Sequence, residues 1–197
     1  MSNQNRTFSG GVIDRNKTIN FIFNGKKYKG FQGDTLASAL LANDVHLVGR
    51  SFKYHRPRGI LTAGSEEPNA LIQLGIGART EPNIRATEIE LYEGLEAESQ
   101  NCWPSVDFDI GEANNLLSRL FPAGFYYKTF KWPPSFWLFY EHFIRKAAGL
   151  GESPKAKNPD RYEQRFHYCD VMIVGGGVSG LTAALAAARA KCDVLLV

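Results

Sequence analysis

Val171-Met172-Ile173-Val174-Gly175-Gly176-Gly177-Val178-Ser179-Gly180 sets an unbroken apolar run directly before a glycine-rich turn. Four consecutive apolar residues suit a strand buried on both faces, and the glycines that follow permit backbone shapes closed to residues with side chains. Leu181 to Ala190, rich in alanine and leucine, reads as a helix, and Cys192 to Val197 (CDVLLV) as a second buried strand that closes one βαβ unit. The spacing Gly175-x-Gly177-x-x-Gly180 has a mechanical meaning. Gly175 permits the tight turn, Gly177 lets the backbone approach a diphosphate, and Gly180 lets helix and sheet pack closely. The phosphates would rest where free N–H groups and the helix macrodipole favour an anion. Gly175, Gly176, Gly177, Val178, Ser179 and Gly180 are therefore the candidate cofactor-binding residues.

Ala184 extends this pattern, which resembles the larger fingerprint of two-dinucleotide-binding flavoproteins. Lys191 departs from it. Glycine commonly ends the helix in that family, and another residue in a left-handed cap costs on the order of 1 kcal/mol. The acid that grips the adenosine ribose belongs at the tip of the second strand, about 20 residues past the glycines. The sequence ends at Val197 before reaching it, so NAD, NADP and FAD all stay open. Two strands and one helix do not make a doubly wound sheet, so residues 169–197 are expected to be the start of a longer Rossmann-type domain.

Working back from this unit, Gly151 to Arg165 is rich in charge and proline and reads as a linker, with residues 150–168 separating two regions. Residues 99–149 read as a helical connection. Leu116, Leu117, Leu120 and Phe121 make one apolar stripe, stopped by Pro122 and Gly124. Pro133-Pro134 presets the approach to a second helix with Phe136, Phe139, Tyr140 and Phe143 on one face, a Glu141–Arg145 pair and Gly149 at its end. These rings suit a partner surface, a membrane-facing patch or an aromatic core, and their concentration on one helical face favours the core.

The first region, residues 14–98, alternates as strands do. Thr18 to Phe23 (TINFIF) is a half-buried strand, Asn24-Gly25 a tight hairpin turn, and Lys26 to Phe31 the returning strand. Asp34 is placed to cap a helix carrying Leu36, Ala39 and Leu40, and Ala70 to Leu74 and Thr87 to Tyr92 are further strand candidates. The layout resembles a β-grasp, ferredoxin-like domain, and the fold class expected for the chain is α+β followed by α/β.

Charge and cysteine content narrow the function. A net charge of +3 is too small to argue by itself for nucleic-acid binding. Cys102, Cys169 and Cys192 are widely spaced and odd in number, fitting neither a disulfide framework nor a zinc or iron–sulfur ligand set, which favours a reducing, cytoplasmic setting. The N-terminus carries no signal-peptide pattern. The apolar stretch Val171 to Val197 is too broken by glycine and charge to span a membrane. Arg50, Lys53, Arg56 and Arg58 form the sharpest charge cluster, interleaved with Phe52, Tyr54 and His55. It reads as a solvated loop, a domain interface or a contact to a cofactor phosphate. Nucleic-acid recognition is disfavoured because the cluster is short and balanced by Glu66 and Glu67. No carboxylate or nucleophile accompanies His55 in a recognisable constellation, and His46, His142 and His167 lack metal spacing, so no catalytic or metal residue is assigned.

Gly49-Arg50-Ser51-Phe52-Lys53-Tyr54-His55-Arg56-Pro57-Arg58-Gly59-Ile60, with Gly64-Ser65-Glu66-Glu67-Pro68-Asn69-Ala70 and Gly33-Asp34-Thr35-Leu36-Ala37-Ser38-Ala39-Leu40, resembles the alpha subunit of heterotetrameric sarcosine oxidase. The resemblance runs from Asp14-Arg15 to the glycine turn. It implies a ferredoxin-like domain without an iron–sulfur cluster, in keeping with the absence of a C-x₄-C-x₂-C run. It implies NAD in this subunit's Rossmann-type domain, an FMN shared with the beta subunit, FAD in the beta subunit and a tetrahydrofolate domain further along the alpha chain. The implied partners are the beta, gamma and delta subunits and a small amine substrate, with no nucleic acid and no membrane. The implied reaction is oxidative demethylation of sarcosine to glycine, with formaldehyde or methylene-tetrahydrofolate and hydrogen peroxide. Related amine or opine dehydrogenases and glycine-oxidising cyanide synthases share this domain order, and a non-catalytic electron-transfer or scaffold subunit is the alternative of another class.

Overall fold

A computed structural model describes residues 5–116, 118–119, 132–147, 151 and 153–197, and the chain divides into two compact units, Met1–Asn158 and Pro159–Val197. The first opens with β1 (Asp14–Phe23) and β2 (Lys26–Gln32), an antiparallel hairpin turning at Asn24-Gly25. Both turn residues have positive φ, 49° and 72°, the shape that follows the right-handed twist of the strands. There follow α1 (Leu36–Ala42), β3 (Gly49–Arg50), β4 (Pro57–Arg58), β5 (Leu71–Leu74), β6 (Glu81–Arg85) and β7 (Leu95–Ser99). Five of these strands make one mixed sheet in the order β2-β1-β7-β5-β6, with β7 parallel to β1 and antiparallel to β5. The other two, β3 and β4, form a separate short ladder.

Alternation along β1 turns Phe21 and Phe23 to one face, where they meet Leu36 and Leu40 of α1, Ile72 of β5 and Leu95 of β7. All six are essentially without solvent exposure. Burying each such side chain contributes roughly 1.5–3 kcal/mol, so this cluster carries most of the unit's stability.

Two expectations change here. Thr35, not Asp34, is the N-cap of α1: its Oγ1 accepts from Ser38 N at 3.2 Å while Ser38 Oγ accepts from Thr35 N at 3.0 Å. Asp34 is buried one residue earlier, accepting from Phe31 N and Ser38 Oγ, each at 2.8 Å, and from both terminal nitrogens of Arg6. Nor is Thr87 to Tyr92 a strand. Its burial alternates, but its backbone serves the start of α1: Ile89 O accepts from Leu36 N, and Leu91 N donates to Asp34 O. The strand positions go to β6 and β7. Pro82 and a left-handed Asn83 (φ 62°) obscure β6, and both are tolerated because β6 is a sheet edge.

Beyond the sheet, Asp109 caps a 3₁₀ turn, Ile110–Asn115, through its side chain. Leu117, Leu120, Phe121, Pro122, Gly124 and Gly149, read above as helix stripe and stops, lie outside the described residues, as does the side chain of Arg145. Pro133-Pro134 leads through a 3₁₀ turn into α2 (Trp137–Ala147), as the sequence predicts. Phe139 and Phe143 pack edge to face with centroids 5.0 Å apart, yet both remain more than half exposed, so the described residues do not close the expected aromatic core.

The second unit is β8 (Val171–Ile173), α3 (Val178–Arg189) and β9 (Val194–Leu196). The strands pair in parallel, Val171 opposite Val194 and Ile173 opposite Leu196. No side chain of this unit is fully buried. The helix starts at Val178, three residues before the predicted start, because the turn itself supplies its first residues. No described helix is long and apolar enough to cross a membrane.

Candidate functional site

The turn between β8 and α3 gathers the six candidate residues in one exposed segment. Gly175 has φ +105°, closed to L side chains, and its N–H donates to Val197 O at 2.6 Å, tying the turn to the end of β9. Gly177 is the N-cap of α3, and no side chain caps the first-turn N–H groups. Nothing lies within 4 Å of where a Cβ on Gly176 or Gly177 would stand, so bare peptide faces open space there. Gly180 is the opposite case: a Cβ would run into Gly175 O and stand 3.5 Å from Ile173 Cγ2. Val178 and Ser179 fill the exposed first turn. No ionisable side chain occurs from Val171 to Ala188, so attraction for an anion rests on backbone N–H groups and the helix dipole.

At its far end α3 closes with Lys191 in the left-handed region, φ 62°. Lys191 N donates to Ala188 O and Cys192 N to Ala187 O, the paired bonds of a glycine-type helix stop made without glycine.

The basic stretch is a clasp within the first unit rather than a solvated loop. Arg50 is buried, donating through Nε to Val106 O (2.9 Å) and through Nη1 to His55 O (3.0 Å) and Glu112 Oε2 (3.1 Å). His55 Nδ1 lies 2.6 Å from Asp109 Oδ2, and Asp109 also accepts from Trp103 N and Gly111 N. This corrects the expectation that no carboxylate accompanies His55: the partner stands 54 positions later, beyond any local pattern. Lys53 and Arg56 lie over the Tyr54 ring at 5.0 and 4.8 Å.

Glu67, taken from sequence as a charge balancing that cluster, is instead nearly sealed from solvent. Burial alone would raise its carboxyl, but N–H donors from Thr62, Asn69, Leu61 and Ala70 outweigh it and hold the group below its ordinary 4.5. No pattern of residue types betrayed it, since Glu66-Glu67-Pro68 reads as a polar loop. Cys102 lines a cleft of about 630 Å³ with Tyr28, His46 and Glu98. Burial, with Asp109 nearby, pushes its thiol up to about 11, so it is protonated and unreactive at neutral pH.

The first unit is thus a mixed α+β fold and the second a parallel strand–glycine–helix–strand succession. Comparison with known proteins is more specific. The chain is 60% identical over 188 residues to "Sarcosine oxidase subunit alpha" of Rhizobium meliloti (strain 1021), covering 95% of this chain and 19% of that protein. It is 30% identical over 191 residues to the protein of that name from Corynebacterium sp. (strain U-96), covering 95% of this chain and 15% of the relative. Against that of Corynebacterium sp. (strain P-1) it is 32% identical over 184 residues, covering 93% and 14%. Along nearly its whole length the chain is thus similar to sarcosine oxidase alpha subunits, and it spans less than a fifth of their length. A solved structure, "Crystal structure of L-proline dehydrogenase from P.horikoshii", aligns with 20% identity and a TM-score of 0.40, over 93% of this chain and 25% of that one.

Residues 16–102 match the family model described as a 2Fe-2S iron-sulfur cluster binding domain. This match overturns the expectation of no iron–sulfur cluster. That expectation rested on the family resemblance and on the absence of a C-x₄-C-x₂-C run from the whole sequence, whereas the match spans residues 16–102. The fit of such a group to the matched residues is nevertheless poor. Residues 16–102 hold one cysteine, Cys102, whereas a [2Fe–2S] centre takes four protein ligands. Among the described residues no group of three or more His, Cys, Asp or Glu is placed to hold a metal.

Proposed function

We propose that the turn Gly175 to Gly180 binds the diphosphate of a dinucleotide, NAD or FAD, within an oxidoreductase subunit of the sarcosine oxidase type. The observation that carries this reading is the uncapped start of α3 facing open space beside Gly176 and Gly177. Phosphate oxygens would accept from the first-turn N–H groups, with the positive end of the helix dipole behind them. Gly175 shapes the turn and Gly180 lets α3 come within packing distance of it. When bound, the dinucleotide supplies hydride or electron-transfer chemistry. This chain's residues bind and orient it.

The similarity to sarcosine oxidase alpha subunits supports a reaction for the whole protein. Sarcosine, dioxygen and water would give glycine, formaldehyde and hydrogen peroxide, with the one-carbon unit passing to tetrahydrofolate where that is present. Beta, gamma and delta subunits are the partners this reading requires, and the cytoplasm its setting. The finer fold reading is a β-grasp for the first unit, supported by a hairpin, a helix across its sheet and a later strand parallel to β1. For the second it is the opening of a Rossmann-type domain, supported by the parallel β8–β9 pair.

Substituting Gly177→Leu in the assembled enzyme tests the site. Dinucleotide retention is expected to fall at least tenfold, about 1.4 kcal/mol, with the fold intact by circular dichroism. Unchanged retention in a folded variant would reject the site. Sarcosine-dependent peroxide release by the unaltered enzyme tests the reaction separately, and no release with full flavin content would reject that part alone.

A further inference from the structure

Residues 61–70 are folded around a negative charge. Leu61 N, Thr62 N, Asn69 N and Ala70 N, from the two arms of the loop, all donate to the Glu67 carboxylate, at 2.8, 2.6, 2.8 and 3.2 Å, with Thr62 Oγ1 a fifth donor at 3.2 Å. All five donors are neutral. The loop is also pinned from outside, Arg85 Nε donating to Glu67 O at 3.1 Å and Thr87 Oγ1 to Gly64 O at 2.8 Å. A loop that only reversed the chain would leave its acids in water, because burying a carboxylate is expensive unless donors replace its hydration. Successive peptide N–H groups aimed at one point make an anion-binding nest.

The donors converge from both arms of the loop, the peptide nitrogens of Leu61 and Thr62 from one and those of Asn69 and Ala70 from the other. The segment is therefore built to surround an anion, and here the anion comes from the chain itself.

We propose that residues 61–70 form an anion-binding loop whose resident ligand is the carboxylate of Glu67, and that removing this side chain leaves a site for a small free carboxylate. Two variants test it, Glu67→Gln and Glu67→Ala, with hydrogen exchange followed at the amides of Leu61, Thr62, Asn69 and Ala70. Glu67→Gln keeps the shape but turns an NH₂ toward N–H donors, and those four amides are expected to lose at least tenfold of their protection while Ile72 and Leu95 keep theirs. In Glu67→Ala the same loss is expected, with protection returning as formate is added and not with chloride at equal ionic strength. Unchanged protection of the four amides in Glu67→Gln would overturn the proposal, even if the alanine variant does not fold. Recovery with chloride equal to that with formate would also overturn it, as would a [2Fe–2S] spectrum assembled on residues 61–70 of the unaltered chain.

Discussion

The two units solve the same packing problem to different depths. The first closes its own core: one helix lies across five strands, and Phe21, Leu40, Ile72 and Leu95 lose nearly all contact with water. The second, built from sequence at least as apolar, closes nothing. Leu181 and Leu185 on α3, Met172 on β8 and Val197 beside β9 all stay more than a third exposed. A two-stranded parallel pair has too few neighbours to cover a helix on one face and itself on the other. What the second unit does possess is local geometry, a glycine turn and a helix start, and those are the parts proposed to act on a ligand.

The largest effect that would break this contrast is a core deletion. Leu95→Ala should destabilise the first unit by about 2–5 kcal/mol, whereas Leu185→Ala, at a half-exposed position, should change stability by less than about 1 kcal/mol. Urea unfolding of both variants decides it, and equal losses would mean that the second unit has a core the contrast denies.

Of similar size is the effect of breaking the buried ion pair. Arg6→Ala leaves Asp34 charged and sealed without its guanidinium, and removing one partner of such a pair costs roughly 3–5 kcal/mol. Burial would raise the Asp34 carboxyl, but Arg6, Phe31 N and Ser38 hold it below its ordinary 3.8. Glu67 is likewise held low. Since both are lower folded than unfolded, their stabilisation is complete above about pH 4.5 and disappears as pH falls through the folded values. The first unit should therefore melt at progressively lower temperature below pH 4, and Arg6→Ala should weaken this dependence, because the guanidinium no longer holds the Asp34 carboxyl low. The second unit, which buries no carboxylate, should show no such loss by circular dichroism of its helix.

The smallest effect sharpens the comparison from the other side. Lys191 occupies the left-handed position of a helix stop, so Lys191→Gly should stabilise α3 by about 1 kcal/mol. Exchange of the amides of Lys191 and Cys192 would read it, and a loss of protection there would show that the lysine side chain earns its place.

Legibility in the sequence followed the range of the forces. The β1–β2 hairpin was plain because Asn24-Gly25 and the alternation on either side are local signals, and the β8–glycine–α3 succession was plain for the same reason. Strands β6 and β7 were hidden: one carries Pro82 and Asn83 at a sheet edge, and the other is short and half acidic. Thr87 to Tyr92 (TEIELY) looked like a strand because its residue types suit one, yet its hydrogen bonds go to a helix start over 50 residues earlier. The clasp of Arg50 and His55 with Val106, Asp109 and Glu112, and the enclosure of Glu67, depend on chain folding that residue order does not display. Of the candidate site, the turn was readable because its glycine spacing and the flanking strand and helix are all local signals.

The most direct test of the account is amide mapping of the chain by NMR while NAD, and separately inorganic pyrophosphate, is added. Shifts concentrated at Gly176 to Leu181, abolished by Gly177→Leu, are the predicted result. Shifts centred on the first unit, or the same pattern surviving in Gly177→Leu, would contradict it.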